Sequence, residues 1–267
     1  MNGYIKIIGK MIYELYVQGK RDLWDLKIKK VYTLKVLQNE RFKFSNFGEI
    51  PKMIYAKQHF INKRQSFEYE TLELYKSFLK PGFTVLDVGA NVGLFSLLGS
   101  NQVGETGKIY AFEPSADTYA ALNNNLRINN SKNVQTFPIA LSDSNSKIKL
   151  DYPNKIKSND STKDLYAYIN KDITGAIDAV KLDDFVMDQK IKKVDFIKID
   201  IEGAELLCFK GGSETLKQKP TILFECYEPF CNRFGYSVID VLKYLDEREF
   251  KLTQLNEFQW LATDTTN

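Results

Sequence analysis

The chain has 267 residues, of which 43% are hydrophobic, so it can bury a large core. Its 37 basic residues are interspersed with 34 acidic ones, and the net charge of +3 gives no general reason to expect nucleic-acid binding. No apolar run approaches the roughly 18 residues that cross a bilayer, so a cytoplasmic protein is expected. Three cysteines without CxxC spacing fit a reducing compartment and are interpreted as packing residues, and no metal site is predicted.

The N-terminal segment is locally basic. Residues 1–40 carry eight Lys/Arg against four Asp/Glu. This bias leaves two interpretations open: a terminal helix docked on the domain, or weak association with an anionic membrane surface. We expect residues 1–68 to form a helical or irregular extension that caps a catalytic domain covering residues 69–267.

From residue 84 onward, short apolar runs alternate with helical patterns, which is typical of a parallel sheet with crossover helices. The predicted strands are TVLDVG (84–89), KIYAFE (108–113), NVQTFPIAL (from 133), VDFIKID (194–200) and TILFECY (221–227). The predicted helices cover about 92–101, 115–130, 203–210 and 237–248. These elements predict an α/β domain.

Two further regions depart from this alternation. Residues 143–180 form a polar insertion in which KIKLDY and ITGAIDAVKL are expected to pair as short strands. The insertion is either a lid over a substrate or a solvated excursion. After the fifth strand, FKLTQLNEFQWLAT predicts an antiparallel hairpin that closes the sheet edge.

Acidic side chains follow the predicted strands. Asp87, Glu113, Asp200 and Glu225 close the first, second, fourth and fifth strands, and Ser142-Asp143 follows the third. In an open parallel sheet, ligands bind outside the carboxyl ends of the strands. The sequence therefore predicts a rim of carboxylates at the ligand-binding edge.

The turn Gly89-Ala90-Asn91-Val92-Gly93 follows the first strand and precedes a helix, so its backbone can approach a ligand closely. Glu113 lies 20 residues beyond Gly93, where dinucleotide-binding folds place an acid on the ribose. The spacing is not GxGxxG, however. Asp87 would also repel a pyrophosphate at this turn, so the pattern favours a cationic ligand.

Six segments carry a family resemblance, in this order: DVGANVG, FEPS, ALSD, KLDDF, DFIKIDIEGAELLCFKGG and PTILFE. Together they closely resemble the FkbM-type methyltransferases, a branch of the class I S-adenosylmethionine-dependent enzymes, over about residues 70–255. The resemblance implies a Rossmann-like, mostly parallel seven-stranded sheet with helices on both faces. It also implies that S-adenosylmethionine lies across the first three strand ends.

The resemblance assigns the cofactor contacts by motif. The two glycines and Asn91 of the turn are expected to approach the methionyl part, and Glu113 is expected to bind the ribose. Ser142 and Asp143 are expected beside the adenine, although an ordinary Ser-Asp turn is the alternative. Glu70 is either a contact for the cofactor ammonium or an exposed helix acid. The expected cofactor-binding residues are Glu70, Asp87, Gly89, Ala90, Asn91, Gly93, Glu113, Pro114, Ser142 and Asp143.

A hydroxyl acceptor needs a base or a metal to activate it. Asp200 and Glu202 would point to the same face if the fourth strand stayed extended through Glu202. Asp200 is the predicted general base or hydroxyl ligand and Glu202 its partner, and two such carboxylates hold one proton more tightly. The alternative for Glu202 is a cap on a helix that begins at Gly203.

The acceptor is predicted only by class. Glu225 and His59, the single histidine, are candidate substrate contacts, with a plain strand-end acid as the alternative for Glu225. DIEG stands where amino-directed methyltransferases carry NPPY or DPPY, so a hydroxyl of a sugar, glycan or natural product is the expected acceptor. A non-catalytic binding protein and an NAD-dependent oxidoreductase are the alternative functions, and the oligomeric state is left open.

Overall fold

The computed structural model describes residues 31–37, 40–45, 67–151, 168–170 and 177–265. Its strands are β1 (Val31–Leu37), β2 (Glu40–Ser45), β3 (Thr84–Val88), β4 (Lys108–Phe112), β5 (Val134–Phe137), β6 (Ala140–Ser142), β7 (Ser146–Asp151), β8 (Tyr168–Asn170), β9 (Ile177–Lys181), β10 (Phe196–Ile199), β11 (Thr221–Glu225), β12 (Phe250–Gln254) and β13 (Gln259–Asp264). Its helices are α1 (Phe67–Phe78), α2 (Leu94–Val103), α3 (Ala116–Ile128), α4 (Leu182–Asp188), α5 (Glu205–Gly211), α6 (Ser213–Leu216), α7 (Glu228–Cys231) and α8 (Val238–Asp246), with a 3-10 turn at Asn232–Phe234.

The main sheet has seven strands in the order β12-β13-β11-β10-β3-β4-β5. The pairs from β11 to β5 are parallel, and β13 is antiparallel to both β11 and β12. This confirms the predicted mostly parallel seven-stranded sheet and its C-terminal antiparallel hairpin. The chain order reverses between β3 and β10, which is where an open parallel sheet binds its ligand.

Alternating side chains of the sheet divide the core into two layers. Leu86 and Val88 of β3 belong to one cluster, which also contains apolar side chains of α4, α5 and α8. Val85 belongs to the other, with apolar side chains of α1, α2 and α3. Helices therefore cover both faces, and Asp87 points toward the layer of α1 and α2 because side chains alternate along a strand.

The third predicted strand is in fact two strands that belong to different sheets. β5 ends at Phe137 at the edge of the main sheet, whereas β6 begins at Ala140 and pairs in parallel with β9. Pro138 lies between them, and proline cannot donate a ladder hydrogen bond. The prediction of one strand through residues 133–141 was therefore wrong.

The insertion contributes to a second sheet of four strands, in the order β6-β9-β7-β8. β7 and β9 are antiparallel, with Lys147 opposite Asp178, so the predicted pairing of these two segments is confirmed. α4, which follows β9 directly, was not predicted. Its Asp183 accepts hydrogen bonds from the backbone N–H groups of Glu214 and Thr215, at 2.9 and 2.7 Å, and so caps the start of α6. A lid function for the insertion stays a prediction.

The described part of the N-terminal extension is a hairpin, where helical or irregular structure had been predicted. β1 and β2 are antiparallel, and Phe42 and Phe44 are buried in the cluster that contains α1, α2 and α3. Two polar contacts accompany this packing: Lys43 N–H donates to the Asn129 side chain at 2.7 Å, and Glu40 pairs with Lys76 at 3.0 Å. Among the helices of the described ranges, none has the length and apolar character that a bilayer crossing requires.

Candidate active site

The turn after β3 is held in place by backbone hydrogen bonds. The N–H groups of Gly89 and Ala90 both donate to the carbonyl oxygen of Phe112, at 3.0 and 2.9 Å. Gly89 has φ +80°, and a Cβ added there would overlap the carbonyl oxygen of Asp200. Glycine is therefore required at this position both by the backbone conformation and by the close approach of β10.

Glu113, which precedes Pro114, links the same turn to the end of β4. Its Oε2 accepts a hydrogen bond from the N–H of Asn91 at 3.0 Å, and its Oε1 accepts one from the N–H of Ser115 at 2.9 Å. Burial raises the pKa of Glu113 to about 7, and the two backbone hydrogen bonds lower it only part of the way back. Each carboxylate oxygen keeps a further acceptor site, so these bonds are compatible with the predicted contact to a ribose.

Asp87 is completely buried at the carboxyl end of β3. Its Oδ2 accepts a hydrogen bond from the Ser96 hydroxyl at 2.6 Å, whereas no group of the described residues donates to its Oδ1. Burial raises the pKa of Asp87, while Lys198 and the Ser96 hydroxyl oppose that shift. A buried carboxylate oxygen without a donor is rare in folded proteins and is suited to a cationic or hydrogen-bonding ligand.

Lys198 lies at the centre of the carboxylates and was missed by the sequence interpretation. It is opposite Asp87 in the register of β10 and β3, its ammonium is 3.2 Å from Asp200 Oδ2, and it is 4.8 Å from the centre of the Phe95 ring. Burial alone would lower the pKa of Lys198, but the charges of Asp200 and Asp87 raise it overall. The sequence signal for Lys198 was a lysine inside the apolar strand FIKI. It stands two residues before Asp200, and side chains two residues apart in a strand point to the same face of the sheet.

The geometry predicted for Asp200 and Glu202 was wrong. β10 ends at Ile199 and Glu202 has φ +56°, so the chain is not extended through Glu202 and strand alternation does not align the two side chains. Their charges nevertheless interact. Burial, followed by the charges of Asp200 and Glu225, raises the pKa of Glu202 to about 8. Burial is the larger cause of this shift, and the neighbouring carboxylates that the sequence pointed to add to it.

The acid that closes this turn is Glu205, which the sequence interpretation did not single out. α5 begins at Glu205, so the alternative in which Glu202 caps a helix that begins at Gly203 does not hold. The Oε1 atom of Glu205 accepts the N–H groups of Ile201 and Gly203, at 3.3 and 3.1 Å. The sequence signal for Glu205 was an acidic residue in the first turn of a predicted helix, where a negative charge is favourable.

Ser142 and Asp143 do not follow a strand of the main sheet. Ser142 ends β6, is 3% exposed, and donates a hydrogen bond to the Asp143 carboxylate at 3.3 Å. A Cβ added at Gly211 of α5 would overlap the Ser142 carbonyl oxygen, so this segment packs directly on α5. The prediction that these two residues follow the third strand of the main parallel sheet was therefore wrong, because β6 belongs to the second sheet. Their contact with adenine stays a prediction.

The remaining predicted residues lie at different places. Glu225 ends β11 opposite Gln259, and the Thr71 hydroxyl donates to that glutamine, which brings the start of α1 to the carboxyl end of β11. Glu70 is exposed beside Thr71. Its contact with the cofactor ammonium, like the contact of Glu225 with substrate, stays a prediction. His59 lies outside the described residues.

Comparison with known proteins identifies the family. The family model described as "Methyltransferase FkbM domain" matches residues 87–252, more than half of the chain. The chain belongs to the FkbM methyltransferase family. S-adenosylmethionine is its cofactor, as the resemblance implied, and membership of the family removes the oxidoreductase alternative. The unpartnered oxygen of buried Asp87, at the start of the glycine turn, fits this cationic cofactor.

Three curated relatives are similar over part of the chain. Methyltransferase sdnD of Sordaria araneosa is 30% identical over 54% of this chain and 66% of its own length. Hexuronic acid methyltransferase AglP of Haloferax volcanii is 26% identical over 64% of this chain and 65% of its own length. The 2-O-methyltransferase NoeI of Sinorhizobium fredii is 25% identical over 55% of this chain and 64% of its own length. The FkbM methyltransferase thus spans less than two thirds of each matched relative.

Proposed function

We propose that this FkbM methyltransferase transfers the methyl group of S-adenosylmethionine to a hydroxyl oxygen of a sugar or glycan. The observation that carries the proposal is the group of acids at the ends of β10 and β11, in which Glu202 has a buried oxygen without a donor among the described residues. Burial and the charges of Asp200 and Glu225 raise its pKa to about 8. A carboxylate of that basicity suits proton removal from an alcohol near neutral pH. The names of two relatives, a hexuronic acid methyltransferase and a 2-O-methyltransferase, support a sugar hydroxyl as the acceptor.

The β3–β4 side of the edge is proposed to hold the cofactor, which supplies an electrophilic methyl group on a sulfonium. Asp87 contributes a buried negative charge that favours a cation, and Glu113 offers acceptor sites for ribose hydroxyls. The glycines let the turn pack directly on the Asp200 carbonyl and on Leu122, which holds the turn at the carboxyl end of β3, where the cofactor is proposed to bind. Methyl transfer is an in-line displacement, so the main task of these residues is alignment.

The β10–β11 side is proposed to handle the acceptor. Asp200 is paired with Lys198 at 3.2 Å, and this fixed position suits a group that orients the acceptor hydroxyl through a hydrogen bond. Glu202 has a buried Oε2 without a donor among the described residues, and it is therefore the better general base. This assignment exchanges the roles that the sequence suggested for the two acids.

The test is a methylation assay on the full chain with methyl-labelled S-adenosylmethionine. The acceptors are hexuronic-acid-containing oligosaccharides, neutral oligosaccharides and, as the nitrogen control, the same oligosaccharides bearing a free amino sugar. We expect label in the carbohydrate, one added methyl group by mass analysis, and an O-methyl sugar by linkage analysis.

Two outcomes would contradict the proposal. Label found only on the amino group would assign the protein as an N-methyltransferase. Calorimetric binding of S-adenosylmethionine and of an oligosaccharide without any methylated product would favour the non-catalytic binding protein that the sequence left open.

A further inference from the structure

A second group of chemically active side chains lies next to the acids of the candidate active site. It consists of Glu205 at the start of α5, Cys226 just after β11 and Cys231 at the end of α7. One carboxylate oxygen and the two sulfurs all lie within 4.8 Å of one another, and the sulfurs are 3.4 Å apart. The three side chains are buried, with exposures of 1%, 2% and 0%.

The carboxylate of Glu205 is only half satisfied. Oε1 accepts the two backbone N–H groups of the turn, whereas Oε2 has no hydrogen-bond partner among the described residues. A buried carboxylate oxygen that is charged and unpaired destabilises the folded state, because it has lost its hydration without gaining a partner. Either a proton or a cation must therefore accompany it, and the two sulfurs are the neighbouring ligand atoms.

The group is close to the size of a zinc centre, and the two sulfurs, now 3.4 Å apart, would need to move apart only slightly. With Zn–S distances of about 2.3 Å in a tetrahedral centre, two sulfurs are about 3.8 Å apart and a sulfur and a carboxylate oxygen are about 3.5 Å apart. Thiolate ligands also select zinc over magnesium or calcium, which prefer oxygen.

We propose that Glu205, Cys226 and Cys231 bind one Zn²⁺ ion, with a water as the fourth ligand. On binding, each thiol releases its proton to solvent and forms a zinc–sulfur bond, and the free oxygen of Glu205 coordinates the metal. The ion would join the turn after β10 to the segment after β11. This fixes the relative positions of the chain segments that carry Glu202 and Glu225.

Zinc binding is expected to depend on pH. Because each thiol must lose its proton to bind zinc, the zinc affinity should increase as the pH rises. The sequence did not predict this site, since its three ligands do not form a motif with the usual spacing.

The experiment measures metal binding by the full reduced chain and does not depend on methyl transfer. Metal is first removed with a chelator, zinc is added with a chromogenic competitor, and the bound metal is counted. We expect one zinc per chain. Cobalt added instead of zinc should give thiolate-to-cobalt charge-transfer absorption. Cys226→Ser and Cys231→Ser should each raise the zinc Kd by at least about 100-fold.

Cys208→Ser is the matched control, because Cys208 is also buried but lies outside the group. It should bind zinc as the unmodified chain does. Glu205→Gln keeps both thiols and should weaken binding while the circular dichroism spectrum stays folded, which separates ligand loss from misfolding.

The proposal would be overturned if the unmodified chain bound less than one equivalent of zinc, or if cobalt bound without a charge-transfer band. It would also be overturned if Cys208→Ser lost zinc as fully as the ligand variants do. A mass two hydrogens lower with no zinc bound would show that Cys226 and Cys231 form a disulfide instead.

Discussion

The two halves of the ligand-binding edge satisfy their carboxylates differently. On the β3–β4 side, Glu113 accepts two backbone N–H groups and one oxygen of Asp87 accepts the Ser96 hydroxyl. On the β10–β11 side, Asp200 is paired with the Lys198 ammonium, and the charges of Asp200 and Glu225 act on Glu202. Each side has a buried carboxylate oxygen without a donor among the described residues, on Asp87 and on Glu202. The difference is that hydrogen bonds orient the acids of the first side, whereas charges dominate the surroundings of the second.

The difference teaches how one sheet edge supports two tasks. Carboxylates that accept backbone hydrogen bonds are already oriented before a cofactor binds. Less conformational entropy of their side chains is therefore lost on binding. Crowded carboxylates raise one another's pKa, and a raised pKa is what a general base requires near neutral pH. The following changes would break or sharpen this contrast.

The largest effect is expected for Gly89→Ala on the rigid side. A Cβ there would overlap the Asp200 carbonyl oxygen and would also need φ +80°. We expect a loss of more than about 3 kcal/mol of unfolding free energy, measured by urea denaturation. Gly235→Ala is the matched control, because it has φ +76° with open space around it and should cost only about 1–2 kcal/mol. Equal losses would show that the close approach of β10 is unimportant.

Lys198→Met should destabilise the fold by about 3–5 kcal/mol, since it leaves Asp87 and Asp200 without their buried cation. Without that cation the pKa of Asp87 rises further, so the loss should be smaller at pH 5.5 than at pH 8. Urea denaturation at both pH values is the measurement. Lys193→Met removes an exposed lysine that pairs with the partly buried Asp195 at 2.7 Å, and it should cost less than about 1 kcal/mol. A similar loss in both variants would mean that the buried Lys198 stabilises the fold no more than an exposed lysine does.

Glu202→Gln tests the reactive side. The unmodified enzyme should become more active as the pH rises to about 8, because Glu202 must lose its proton to act as a base. The variant should lose about 10²–10⁴-fold in kcat and also this pH dependence, while S-adenosylmethionine binds within about threefold of its normal Kd. Single-turnover rates and calorimetry supply the two measurements.

Glu257→Gln serves as the control for Glu202→Gln, because Glu257 is exposed in the β12–β13 loop. It should keep both the rate and the pH profile. A Glu202→Gln enzyme that retains the pH-dependent rate would instead place the base elsewhere, and Asp200→Asn would then be the next variant to measure.

The smallest effect is expected for Ser96→Ala. This change removes the hydrogen bond that the Ser96 hydroxyl donates to Asp87 Oδ2 at 2.6 Å. We expect a loss of about 1–2 kcal/mol of unfolding free energy at pH 8 and less at pH 5, where Asp87 more readily takes a proton. Ser77→Ala is the control, because its hydroxyl donates to a carbonyl oxygen of its own exposed helix turn. A loss at pH 8 no larger than that of the control would show that Asp87 does not depend on Ser96.

Most strands of the main sheet, four of the helices and the glycine turn were predictable because their signals are local. Apolar alternation, the Gly89–Gly93 spacing and the acids after β3, β4, β10 and β11 are all read within short segments. The break at Pro138 carried a visible signal that the sequence interpretation passed over. The left-handed conformation of Glu202 had no signal in the sequence, because a non-glycine residue adopts that conformation only when its surroundings impose it.

The sequence alone determined that this is an α/β methyltransferase of the FkbM family with acids at its ligand-binding edge. Only the tertiary structure decided that Lys198 faces Asp87, that Asp200 is paired, and that Glu205, Cys226 and Cys231 meet. Lys198 and Asp87, like Glu205 and the two cysteines, are far apart in the chain, so their contacts depend on strand register and on helix placement. Local patterns set the elements, but the charge on each acid depends on which neighbours the packing brings within a few ångströms.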